Sequence, residues 1–343
     1  MIFRRASDLI LDDLFLDLTG LVPGVDLALK LEGFNPAGSI KLKTAVALLD
    51  DAEDRGLLAP GSRIIESSSG NLGIALSSVS ATRGYAFTCV ADPNTPRQSI
   101  ALMKAFGAQV VVVTDRDAAG GFLQTRLDHI RDRLLADDGL YWPNQYANPA
   151  NPLAHYQRTA SAIAREFPDL DYLFVGAGTT GTLMGCADYF RRHSPRTRIV
   201  AVDAEGSVTF GHPPAPRHIP GLGTSRRPEI LRPGLIDDLV VVPEPEAVAM
   251  CRLLAATRGV AAGGSTGSVL AAVSRLSPSM PPGSTAVAIA PDLGDRYLDT
   301  LYDDDWVNSR FGPLPLALTP RREVEISLQP SGTTLLGLVK HLA

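Results

Sequence analysis

Short apolar runs alternate along the chain with longer stretches in which apolar residues recur every three or four positions. The runs at 63–65, 86–90, 109–113, 172–175, 198–202, 239–242 and 286–289 predict strands. The stretches at 43–55, 72–83, 97–105, 123–136, 153–167, 181–193, 246–258 and 267–276 predict helices. Alternation on this scale predicts an α/β fold of mostly parallel, twisted sheets flanked by helices. Ligands of such sheets bind where loops leave the carboxyl ends of strands. The Asn- and Pro-rich segment from Trp142 to Pro152 breaks the pattern and reads as the boundary between two α/β halves. From Trp306 onward the periodicity fades, and Pro313, Pro315 and Pro320 predict a loosely packed tail over 306–343.

Composition narrows the class. With 343 residues, of which 45% are hydrophobic, the chain has enough apolar surface for two cores without staples. Cys89, Cys186 and Cys251 lie far apart with no CxxC pair or Cys/His cluster, so neither a disulfide framework nor a metal site is expected. A net charge of −5 with scattered basic residues argues against a nucleic-acid partner. Asp8, Asp12, Asp13 and Asp17 interrupt the apolar N-terminus, which argues against a signal peptide. No run suits a membrane span, so a soluble cytoplasmic protein is expected.

Three loops carry candidate chemistry. Asn35-Pro-Ala-Gly-Ser-Ile-Lys41 is a tight turn that delivers a lysine to the start of an apolar helix. An amine held against apolar surface has a depressed pKa, as imine formation requires, and cations are disfavoured at helix N-termini. Glu66-Ser-Ser-Ser-Gly-Asn71 follows a strand and opens a helix. Its hydroxyls and N–H groups (Ser67, Ser68, Ser69, Gly70 and Asn71) form a seat for a carboxylate, although one serine alone would make a plain helix cap. Gly176-Ala-Gly-Thr-Thr-Gly181-Thr182 has the composition of a phosphate cradle. It also spells GxGxxG, with Asp203 ending the next strand. Read alone, that segment describes an NAD-dependent dehydrogenase. Thr179, Thr180 and Thr182 suit a phosphate monoester better, and the dehydrogenase reading leaves the other two loops without a task.

Together these segments resemble the cysteine synthase and cystathionine β-synthase family, the fold-type II pyridoxal-phosphate enzymes, from about Ile10 to Tyr302. The resemblance implies two α/β domains: 36–149, which carries the substrate-carboxylate loop, and 13–35 with 150–305, which holds the cofactor phosphate. It implies Lys41 as the Schiff-base lysine of pyridoxal 5'-phosphate and Ser67, Ser68, Ser69, Gly70 and Asn71 as the substrate-carboxylate loop. Asn71 is also implied to bond the cofactor's ring oxygen. Gly178, Thr179, Thr180, Gly181 and Thr182 match the phosphate loop, and Ser265 in AGGSTGS matches the serine that partners the pyridine nitrogen. A neutral hydroxyl there leaves the ring a weaker electron sink, suited to β-elimination. The block NQYANPANP places Gln145 at the substrate pocket.

Leu42-Lys43 replaces the family's usual Asp-Arg, and Leu72 replaces a common threonine. Both departures imply a pocket not built for ordinary cysteine synthesis. Asn71-Leu-Gly-Ile-Ala, Ala204-Glu-Gly-Ser-Val208 and Pro220-Gly-Leu-Gly-Thr-Ser-Arg226 resemble a narrower branch. That branch makes N-(2-amino-2-carboxyethyl)-L-glutamate from O-phospho-L-serine and L-glutamate, toward 2,3-diaminopropionate for siderophores and peptide antibiotics. Extra anions need donors. Arg226 and Tyr156 are the candidates, against plainer readings as a solvated cation and a half-buried helix tyrosine. His155 reads as packed and Asp203 as a strand-end residue. A homodimer is implied by the resemblance. The nearest alternative is a cysteine synthase using O-acetylserine or O-phosphoserine.

Overall fold

The computed structural model describes residues 2–117 and 121–314. Its first half contains β1 (Phe15–Asp17), β2 (Val25–Leu31), α1 (Lys41–Asp54), β3 (Arg63–Ser67), α2 (Asn71–Arg83), β4 (Ala86–Ala91) and α3 (Arg97–Ala105). Then come β5 (Gln109–Val112), α4 (Leu123–Ala136), β6 (Leu140–Tyr141), α5 (Ala150–Ala154) and α6 (Ser161–Glu166). The remainder is β7 (Tyr172–Gly176), α7 (Gly181–His193), β8 (Arg198–Ala204), β9 (Asp238–Val242), α8 (Glu244–Arg258), α9 (Gly264–Leu276), β10 (Ser284–Ala290) and α10 (Asp304–Phe311).

These strands form two sheets. One has six strands in the order β1-β2-β10-β7-β8-β9, the other four in the order β5-β4-β3-β6. Every pairing is parallel except β1 with β2, as the helical crossovers demand. Leu173 faces Ile199 across β7 and β8, and Ile65 faces Thr88 across β3 and β4. Parallel strands covered on both faces read as unbroken apolar runs, which is why Leu-Phe-Val and Ile-Val-Ala-Val stand out in β7 and β8. The larger sheet has a core on each face, around Phe174, Val269 and Leu270 on one side and Leu173, Leu183 and Phe190 on the other. The smaller sheet packs with α1 and α2 through Leu48, Leu49, Ile74 and Leu76.

Three expectations change. The helix expected at 153–167 begins at Ala150 and is interrupted by a π-helical turn over His155–Ala160. There α7 comes close: a Cβ on Gly185 would lie 2.3 Å from the Pro152 carbonyl oxygen. The tail does not begin loose. Asp303 caps α10 by accepting from the Trp306 N–H at 2.7 Å, and Val307 is buried beside Ile219, Val248 and Leu301. The rest of the predicted tail, from 315, lies outside the described residues. Finally, β2 joins the larger sheet between β1 and β10, and the expected strands do not include it.

Candidate active site

Lys41 is the first residue of α1, delivered by a loop that Asn35 braces. The Asn35 amide donates to the carbonyls of Glu32 and Ser39, each at 2.9 Å, and its oxygen accepts from the Ala37 N–H at 3.1 Å. Gly38 has φ +65, and a side chain there would strike the Arg296 guanidinium. The Lys41 Nζ points at Thr179 Oγ1, 3.4 Å away. Burial pushes this amine down to about 8. Its neighbours go elsewhere. Leu42 is core, and Lys43 is buried in a charge cluster with Glu32 at 2.7 Å and Asp12 at 2.8 Å. The expectation that Leu42-Lys43 shapes the substrate pocket is therefore corrected; of the two departures only Leu72 lines the cavity.

The second loop leaves the carboxyl end of β3. Ser68 Oγ accepts from the N–H groups of Gly70 at 3.2 Å and Gly73 at 2.9 Å, so this hydroxyl holds the loop's shape. Ser67 Oγ is buried without a hydrogen-bond partner. Asn71 is gripped from both sides. Its amide donates to Asp292 Oδ2 at 2.8 Å, and its oxygen accepts from Arg296 at 2.7 Å. Tyr297 also donates to that Asp292 oxygen, at 2.6 Å. Tyr297 also hydrogen-bonds with the Asn71 side chain, so three downstream residues hold this asparagine together. Gln145 donates through Nε2 to the Ser67 carbonyl at 3.2 Å, closing the loop from the far side.

The third loop joins β7 to the N-terminus of α7, where unpaired N–H groups and the helix dipole favour an anion. Thr180 sits in the left-handed region at φ +67, and its buried Oγ1 has no partner. Neither flanking glycine tolerates a side chain. A Cβ on Gly178 would lie 2.9 Å from the Gly221 carbonyl oxygen, and one on Gly181 only 2.1 Å from Asn151 Oδ1. Asn151 donates to Thr179 Oγ1 at 3.2 Å, and Thr182 Oγ1 lies 3.3 Å from His155 Nε2. His155 is fully buried, and burial holds it well below the usual histidine range, with Lys41 and Lys43 adding to the effect. It braces the loop as a neutral ring. Ser265 stands in the first turn of α9, one residue beyond the helix's first position.

One cavity is lined by Lys41, Ser67, Ser68, Ser69, Gly70, Asn71, Gln145, Gly178, Thr179, Thr180, Gly181, Thr182 and Ser265. Two sequence candidates do not line it. Tyr156 lies outside, with its hydroxyl 2.9 Å from His193 Nε2 and its ring against Tyr189. Arg226 is paired with Glu229 on the surface side of its loop. Asp203 is buried at the end of β8, accepting from the Ala204 N–H at 2.9 Å, and is not part of the wall. In their place stand three residues that the sequence reading missed, Arg126, Tyr146 and Tyr297. Arg126 projects from α4, is 7% exposed, and has its Nε 3.4 Å from Asp92 Oδ2. Its signal was present. Arg126 shares a helical face with Leu123, Leu127 and Ile130, all buried.

Comparison with known proteins shows the family and the fold. The family model described as pyridoxal-phosphate dependent enzyme matches residues 15–292. A curated relative from Ralstonia nicotianae, N-(2-amino-2-carboxyethyl)-L-glutamate synthase, is 42% identical over 300 residues, covering 86% of this chain and 89% of that protein. Among solved structures, O-ureido-L-serine synthase superposes with a TM-score of 0.82 at 35% identity, over 89% of this chain and 96% of its own. The O-acetylserine dependent cystathionine beta-synthase from Helicobacter pylori gives 0.80 at 28% identity, over 88% and 98%.

Proposed function

This chain belongs to the pyridoxal-phosphate dependent enzyme family, and on that premise we propose that it replaces the phosphate of O-phospho-L-serine with the amino group of L-glutamate. The products are N-(2-amino-2-carboxyethyl)-L-glutamate and phosphate. One observation carries the choice of substrate: a buried arginine, Arg126, lines the same cavity as Lys41. Asp92 approaches only the Nε edge of this guanidinium, and the terminal N–H groups suit the anion that a phosphate ester brings and an acetyl ester lacks. The Ralstonia relative's name supports the nucleophile.

The residues fit the cofactor. Thr180 Oγ1 is an orphan hydroxyl inside the wall, and Gly178 and Gly181 keep the α7 N-terminus open where a Cβ would meet neighbouring atoms. Thr179, Thr180 and Thr182 would hold its phosphate, Ser265 its ring nitrogen, Asn71 its ring oxygen, and Lys41 its aldehyde carbon. Pyridoxal phosphate supplies the electron sink that makes the Cα–H of an amino acid acidic. The 67–71 loop seats the substrate carboxylate, and Lys41 removes the Cα proton and later returns it. Arg126 meets the phosphate as its C–O bond breaks, and the glutamate nitrogen bonds to the same β-carbon, releasing one proton. In this reading residues 36–149 carry the substrate seat, and 13–35 with 150–305 hold the cofactor. A cytoplasmic homodimer that feeds 2,3-diaminopropionate chemistry completes the proposal. The free, buried Cys89, Cys186 and Cys251 suit a reducing compartment.

Incubation with O-phospho-L-serine and L-glutamate is expected to release the glutamate adduct, identified by mass spectrometry. Rapid cysteine formation from sulfide with no glutamate adduct would return the chain to the cysteine synthases. The family assignment already removes the dehydrogenase reading of the 176–181 glycines. A second expectation concerns the amine itself. In the cofactor-free chain, acylation of Lys41 by a small reagent should follow a midpoint of about 8, because burial disfavours the ammonium. Peptide mapping across pH gives the curve. A midpoint near that of an ordinary lysine contradicts the burial argument.

A further inference from the structure

We propose that Glu66 is the positioning residue of the substrate seat: its buried carboxylate holds the start of the 67–71 loop and Gln145 in one frame. The inference rests on the proposed function only in taking that loop as the seat of an amino-acid carboxylate.

Glu66 lies at the end of β3, fully buried, and does not reach the cavity wall. Its Oε1 accepts from the Ser67 N–H at 2.8 Å and the Trp142 indole N–H at 3.0 Å. Its Oε2 accepts from the Gln145 N–H at 3.2 Å, and the Asn144 backbone also donates to the carboxylate. Every one of these partners is a neutral N–H. A buried charge without a cation is expensive, and hydrogen bonds from several N–H groups are what makes it tolerable. The arrangement also holds Asn144 at φ +51, a left-handed backbone that a non-glycine residue adopts at a cost.

The frame continues across the cavity. Gln145 returns a bond to the Ser67 carbonyl, and its own carbonyl accepts from Asn151 at 2.8 Å. The same Asn151 amide reaches Thr179 Oγ1 at 3.2 Å, the atom that Lys41 faces. Glu66 is thus the root of a hydrogen-bonded line joining the substrate seat, the 142–145 turn, the phosphate loop and the lysine. A glutamine cannot replace it, since its NH2 would confront an N–H at one of the four contacts.

Protonation has the same effect as that substitution. An O–H on either oxygen points at an N–H donor, so at least one contact is lost. Burial pushes Glu66 up to about 7 against the pull of its donors. The titratable groups around it are Cys89 on β4, Tyr141 on β6 and Tyr146 beyond Gln145, with the Arg126–Asp92 pair past them. Burial raises Cys89 to about 12 and raises both tyrosines, so these three do not change charge near neutrality. The seat should therefore loosen as pH falls through about 7.

The test uses the holoenzyme carrying Trp306→Phe, so that Trp142 is its one tryptophan. Trp142 emission should show a transition near neutral pH, and L-serine binding, read from cofactor absorbance, should weaken on the acid side of it. Glu66→Gln should abolish the emission transition and raise the L-serine dissociation constant roughly tenfold or more on the alkaline side, with cofactor content unchanged. Unaltered L-serine binding in that variant, or an emission transition that persists, overturns the proposal. If Glu66→Gln fails to fold, Trp142→Phe removes one donor to the charged form and should move the binding transition to higher pH. An unmoved transition overturns the proposal equally. L-Serine binding involves neither the leaving group nor the nucleophile, so failure of glutamate transfer is a separate result.

Discussion

Replacing Lys41 with alanine is expected to abolish turnover together with the covalent hold on pyridoxal phosphate. The positioned general base alone accounts for roughly two to four orders of magnitude in rate, and the variant also loses the group that anchors the aldehyde. The chain's five lysines are Lys30, Lys41, Lys43, Lys104 and Lys340, and three of them lie close together. Lys30 stands 3.4 Å from Glu32, and Lys43 is paired with Glu32 and Asp12. Lys41 instead faces a threonine hydroxyl from the cavity wall, with its amine depressed by burial. Borohydride reduction of the parent followed by peptide mapping should place the label on Lys41, and the alanine variant should take no label. A label on Lys43 or Lys104, or turnover within tenfold of the parent, would sink the assignment.

What the sequence revealed about the fold follows from how its elements are covered. Strands sheathed by helices on both faces, such as β7 and β8, carry unbroken apolar runs through their centres, with polar residues only toward the ends, Arg198 and Asp203 in β8. The helices expected at 97–105, 123–136 and 181–193 match α3, α4 and α7 to the residue. By contrast, β2 carries Asp26 and Lys30 inside its run, yet Lys30 is fully buried. Beside its sequence neighbour Glu32, it is covered by the Phe15 ring, 4.6 Å from the ammonium, and donates to the Asp12 carbonyl, two partners that only the folded chain supplies. The π-helical turn at His155–Ala160 was equally hidden. It depends on how closely α7 approaches at Gly185, a tertiary fact without a local pattern.

The candidate site divides in the same way. Loops that bind through backbone N–H groups must be built from glycine, serine and threonine at helix starts, so composition exposes them. All three loops singled out in the sequence line one cavity. Side chains that reach the cavity from a distance leave a weaker mark. Arg226 was conspicuous because it follows a glycine turn, but it pairs with Glu229. Tyr156 sat near a suggestive block, but the helix turns it toward His193. Asp292, Arg296 and Tyr297, which grip Asn71, come from more than 200 residues downstream, and nothing near Asn71 in sequence announces them.

Arg126 gives the sharpest test of substrate choice. If its guanidinium meets the departing phosphate, Arg126→Leu should cost about 2–5 kcal/mol in kcat/KM for O-phospho-L-serine, the range for removing one partner of a buried charged pair. Absolute loss would not prove the point, because the variant also strands Asp92, the carboxylate 3.4 Å from Arg126 Nε. That penalty falls on the enzyme whichever ester it processes. The ratio of kcat/KM for O-phospho-L-serine to that for O-acetyl-L-serine cancels it, leaving the anion's share. With L-glutamate held as the nucleophile, the ratio should collapse in Arg126→Leu and stay within about threefold of the parent in Arg226→Ala, whose exposed pair with Glu229 is worth little. Equal losses on both esters, with the change confined to the KM for glutamate, would move Arg126 from the leaving group to the nucleophile's carboxylate. A collapse in Arg226→Ala instead would show that its loop closes over the cavity and that the anion's partner is the arginine the sequence first suggested.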